Sequence, residues 1–186
     1  MEKSSGFTLI ELLVVIAIAA ILTSLAAPSF SRLIQSTSLS SDVNTFLADS
    51  RFARNEAVKR GTLVVMCKSN TPEAASPNCS TGDDWKTGWI IFEDRNDSGT
   101  YTGAEPLLRQ QGALSASGGI MDGSGTATLF RFVATGRLRT LSSAARFTFT
   151  STRLTDDEFK RVVCVNMSGR ARIAGNGSVT SCGTDQ

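Results

Sequence analysis

Residues 7–27 read FTLIELLVVIAIAAILTSLAA and hold a single charge, Glu11, in 21 positions. A helix of that length spans about 30 Å, enough to cross a bilayer. After Pro28 the helical spacing resumes. Leu39, Val43, Phe46, Leu47, Ala53, Ala57 and Val58 recur three and four residues apart and form one amphipathic face. Glu56 faces Arg60 at i,i+4, and Gly61 stands where a left-handed helix stop belongs. One helix from Phe7 to Arg60 is therefore expected, its first half apolar all round and its second half packed on a domain.

Beyond Thr62 the period changes to two. TLVVMC (62–67), GWIIFED (88–94), ATLFRFV (127–133), ARFTFT (145–150), FKRVVCVNM (159–167) and RARIA (170–174) read as strands. The stretches 68–87 and 111–126 read as loops. A long helix followed by short antiparallel strands is an α+β layout. The boundaries expected are 1–6 for the segment before the apolar run, 7–28 for the membrane segment, 29–61 for the rest of the helix and 62–186 for an antiparallel β domain.

Composition narrows the function. The chain has 186 residues, 41% apolar, with 19 basic and 17 acidic side chains and no histidine. Ser-His-Asp and Cys-His catalysis and histidine-containing zinc sites are excluded; we expect no enzyme and no cofactor. The net charge of +2 conceals a regional imbalance: +1 over 1–60, −4 over 61–129 and +5 over 130–186. A basic third attracts polyanions even in a nearly neutral chain. The four cysteines lack the close pairing of a zinc site, and three connectivities are open to them. Cys67–Cys79 and Cys164–Cys182 each close a Gly/Pro/Ser-rich loop and are favoured, at about 3 kcal/mol apiece on a chain-entropy model.

Two repeats stand out in the positive third, Gly136-Arg137-Leu138-Arg139 and Gly169-Arg170-Ala171-Arg172. On an extended backbone residues two apart share a face, so each repeat presents a pair of guanidiniums. Such forks, about 7 Å apart, suit successive phosphates; as lone surface arginines they would merely solubilise. Lys160 and Arg161, in the same third, are counted with them. The phenylalanines there alternate with polar residues and are assigned to the core, which leaves backbone phosphates as the ligand. Asp94, Asn96, Gly99 and Glu105 partly fit a calcium-loop template, with Ser98 in place of an acid. Strand flanks and ordinary turn chemistry give the same residues a structural reading.

The leader before the apolar run is six residues long and no small-x-small site closes the run, so a cleaved secretory signal does not fit. Glu11 within the run either snorkels or marks function. The string Gly6-Phe7-Thr8-Leu9-Ile10-Glu11 resembles the leader junction of type IV pilins and type II secretion pseudopilins. The resemblance implies cleavage by a prepilin peptidase between Gly6 and Phe7, N-methylation of Phe7, and pairing of Glu11 with the free amine of a neighbouring subunit. Pro28 is similar to the proline that follows the membrane core in that family. GWIIFEDRNDSGTYTGAEPLLR, from Gly88, resembles the GspH/FimT branch, and SGRARI, from Ser168, resembles the DNA-binding GRxR motif of FimT-type minor pilins. Together these resemblances imply a pilin-like fold, an inner-membrane anchor with a periplasmic domain, surface display in the pilus and other pilins as partners. They also imply sequence-independent binding of double-stranded DNA during natural transformation. A structural minor pilin or pseudopilin without a nucleic-acid partner is the alternative reading. A membrane-anchored calcium-binding domain is a third.

Overall fold

The computed structural model describes residues 7–82, 84–123, 127–139, 141 and 143–183. A helix α1 (Leu9–Arg60) is followed by eight strands: β1 (Val64–Lys68), β2 (Trp89–Glu93), β3 (Leu107–Gln111), β4 (Ser117–Asp122), β5 (Leu129–Phe132), β6 (Ala145–Ser151), β7 (Arg161–Val165) and β8 (Ala171–Gly175). They form two antiparallel four-stranded sheets, ordered β3-β2-β1-β5 and β4-β6-β7-β8.

Both ends of α1 are written locally. Thr8 accepts the N–H of Glu11 at the start, and Gly61 at φ +65° returns its N–H to Ala57 O at the end. The assignment runs unbroken through position 28, and the first half is exposed, apolar and long enough to cross a membrane. Its second half supplies Leu39, Val43, Phe46, Leu47, Ala53 and Ala57 to the core. Val58, expected on that face, is 51% exposed; one residue beyond Ala57 it has rotated about 100° out of the contact.

Phe46 is the hub between the sheets. Its ring lies 5.3–6.3 Å from those of Trp85, Trp89, Phe130, Phe147 and Phe149. The two buried indoles are matched: Trp85 Nε1 donates to Ala127 O at 3.0 Å, and Trp89 Nε1 to Asp49 Oδ2 at 2.9 Å. Asp49 also receives Arg109, which ties edge strand β3 to the helix. At the helix end Arg60 bridges Glu56 and Glu93, and its guanidinium holds the Glu56 carboxyl below its ordinary value.

The loop expected over 111–126 contains β4, which pairs with β6. Its two glycines conceal it from propensity. The register shifts between Ser117 and Gly119, and a Cβ on Gly118 would lie 2.7 Å from Ser151 O, so the bulge needs glycine. β3 also falls outside the six expected strands. Disulfides join Cys67 to Cys79 and Cys164 to Cys182.

Candidate nucleic-acid interface

The two Gly-Arg repeats close turns of the same construction. Asn166 N–H donates to Arg170 O at 3.1 Å and Gly169 N–H to Asn166 O at 2.9 Å. Val133 N–H donates to Arg137 O at 3.0 Å and Gly136 N–H to Val133 O at 2.7 Å. Gly169 and Gly136 sit at φ +76° and +77°, a left-handed conformation that glycine adopts without steric cost. The turns also touch. A Cβ on Gly169 would lie 2.2 Å from Gly136 O, and Leu138 N–H donates to Met167 O at 2.9 Å. Arg54, from α1, runs beneath both and gives its Nε–H to Gly136 O at 3.0 Å.

Between α1 and the β7–β8 hairpin lies a groove of about 520 Å³. Arg170 and Arg172 line it from the hairpin, with buried Ala171 between them. Arg51 and Arg54 line it from the helix. Cys182, bridged to Cys164, also lines it, and the Cys182 carbonyl accepts from Arg172 Nη2 at 3.1 Å. Among the described residues lining the groove none is acidic. A concave lining whose described charged residues are all arginines focuses positive potential where an anion can enter. Sequence reading missed Arg51 and Arg54. Their spacing marks only a shared helix face, and nothing local says which strand that face meets.

The first repeat is differently placed. Arg139 Nη1 pairs with Asp97 Oδ2 at 2.8 Å, and Arg131 pairs with both Asp97 and Asp94. Arg137 is exposed beside the turn. Lys160 and Arg161 do not join the site. Arg161 opens β7 opposite Phe149, whereas Arg172 pairs opposite Cys164 near the other end. Lys160 pairs with Asp157 at 2.7 Å, and Arg161 donates to Glu158 O and to Ser36 on α1. A block of charge along the chain has been divided between two ends of one strand.

The acidic loop is held by its own hydrogen bonds. Buried Asp94 accepts the N–H groups of Ser98 and Gly99 at 3.1 and 2.8 Å, and Asn96 Oδ1 also accepts from Ser98 N–H. Glu105 accepts the backbone N–H and hydroxyl of Thr102, which hold its carboxyl below the ordinary value. Among the described residues no three His, Cys, Asp or Glu side chains gather in a way that could hold a metal ion. Asp94, Asn96 and Glu105 thus each have a structural task in this loop. At the other end of the molecule Phe7 is 80% exposed and Glu11 lies in the first helical turn. Gly6 lies outside the described residues.

Known proteins fit this architecture. The family model for type II transport protein GspH matches residues 42–169, and that for the prokaryotic N-terminal methylation motif matches residues 1–27. No curated protein sequence matches the chain. Two crystal forms of the type IV minor pilin FimU of Pseudomonas aeruginosa PAO1 share the fold. Their TM-scores are 0.57 and 0.54 at 21% and 20% identity, covering 78% and 77% of this chain and 95% and 99% of FimU. Long membrane-compatible helix, paired antiparallel sheets and methylation motif converge: the chain belongs to the GspH family and has the fold of the type IV minor pilin FimU.

Proposed function

We propose that this subunit is a minor pilin which captures double-stranded DNA, independently of sequence, for uptake in natural transformation, and that it is a binding subunit and not an enzyme. The observation that carries the reading is the basic groove with Arg170 and Arg172 on one wall. Guanidiniums placed side by side release counterions when they meet backbone phosphates, which supplies sequence-independent affinity. Residues 7–28 would anchor the chain in the inner membrane in a single pass before assembly. Residues 29–61 and the β domain 62–186 would face the periplasm, and then the cell surface within the pilus.

Maturation would remove residues 1–6 and methylate the Phe7 amine. Glu11 would then meet the amine of the next subunit, since a carboxylate and an ammonium buried together are each relieved of a cost borne alone. Intact mass in a host carrying the peptidase should fall by the leader and gain one methyl, and Gly6→Val should block both changes. A mature chain that starts elsewhere would remove this step.

For DNA, the full chain in nonionic detergent micelles should shift duplexes of arbitrary sequence with a Kd of about 10⁻⁴–10⁻⁶ M at physiological salt. Arg170→Gln or Arg172→Gln alone should flatten the salt slope by about one unit, and the two together should abolish measurable binding. Thermal stability should change little, because exposed charges contribute little to folding. Binding indifferent to salt, or to this double change, would leave a structural minor pilin or pseudopilin.

A further inference from the structure

We propose that Arg51 and Arg54 of α1 form a second wall of the phosphate site, so that a DNA backbone is gripped between helix and hairpin rather than resting on the hairpin alone. The proposal rests on the DNA-binding reading and extends it to another element of the fold. Arg51, Arg54 and Asn55 stand at i, i+3 and i+4 and share one face of the helix. All three line the same groove as Arg170 and Arg172. Behind them Ala53 and Ala57 are fully buried, so the helix cannot roll this face away without opening the core. Among the described residues no carboxylate lies within ion-pairing distance of Arg51 or Arg170. Their charge is available to a ligand.

The two helix arginines have different tasks. Arg54 commits its Nε–H to Gly136 O and packs under Gly169, so it sets the position of both turns while part of its fork still borders the groove. Arg51 is exposed at the rim and is the residue whose removal reports phosphate contact alone. A double helix is too wide to enter a groove of about 520 Å³, so the ridge of one strand's backbone is what fits. Walls on both sides of that ridge hold a phosphate from two directions, as a flat patch cannot.

The test is a salt titration of duplex binding by the full chain in nonionic micelles. Arg51→Gln should make the slope shallower by about one unit and leave the melting temperature unchanged. Arg51→Lys should restore the slope, because an ammonium serves a phosphate as a point charge. Arg32→Gln, an exposed arginine about 28 Å nearer the N-terminus on the same helix, should leave the slope as in the wild type. A slope unmoved by Arg51→Gln, with binding still lost in the Arg170/Arg172 double variant, overturns the second wall and leaves the DNA reading standing. A wild-type chain that binds no duplex overturns both.

Discussion

The turn at 133–137 and the turn at 166–170 have the same Gly-Arg-x-Arg sequence pattern, the same pair of backbone hydrogen bonds and the same left-handed glycine. Their surroundings separate them. The second turn opens onto a groove lined by arginines from two elements, and no described residue lining it is acidic. The first faces the loop that carries Asp94 and Asp97, and Arg139 is paired there. A local motif therefore fixes backbone geometry. Whether its guanidiniums can serve a ligand depends on which neighbours the fold delivers.

The contact between the turns is the place to break this pairing hardest. Gly169→Ala puts a Cβ at positive φ, costing about 1–2 kcal/mol, and drives it to within 2.2 Å of the Gly136 carbonyl oxygen. Backbone cannot step aside as a side chain can, and overpacking adds about 1–3 kcal/mol. A loss near 3 kcal/mol should lower the melting temperature by roughly 10 °C. Gly136→Ala carries the same φ strain, but its Cβ would meet only the Arg54 guanidinium at 3.0 Å, a side-chain end that can yield by loosening its hydrogen bond to Gly136 O. It should lose roughly 4 °C. Equal losses in thermal melts of the two variants would mean that the turns are not packed against each other as described.

The same contrast explains what could be foreseen. The helix, its Gly61 stop and the alternating strands follow from periodicity, because each is decided within about ten residues. β4 was hidden because SGGIMD lacks the β-branched run that marks a strand. Gly118 is there for a bulge, and the sheet rather than propensity makes the segment extended. The groove was half legible. Arg170 and Arg172 announce themselves by spacing, but Arg51 and Arg54 join them only through the packing of α1 against the second sheet. Lys160 and Arg161 show the converse: they are adjacent to the groove residues in charge distribution along the chain, but β7 carries them to its other end.

The smallest expected effect is the most informative about the first turn. Asp97 sits at φ +58°, a conformation that asparagine tolerates better than most residues, so Asp97→Asn should keep the loop. It removes the carboxylate that holds Arg139, whose side chain is 57% exposed, while Arg131 retains Asp94. Stability should fall by less than about 1 kcal/mol, since the Arg139–Asp97 pair is exposed. If charge alone separates the two turns, freeing Arg139 beside Arg137 should recruit the first turn and steepen the salt slope of duplex binding by up to about one unit. Adding Arg137→Gln and Arg139→Gln to that variant should cancel the gain. If the slope of Asp97→Asn matches the wild type, the first turn lies beyond the reach of the backbone ridge. Position relative to the helix wall, and not neutralisation by Asp97, would then be what distinguishes two turns that share their backbone hydrogen bonds.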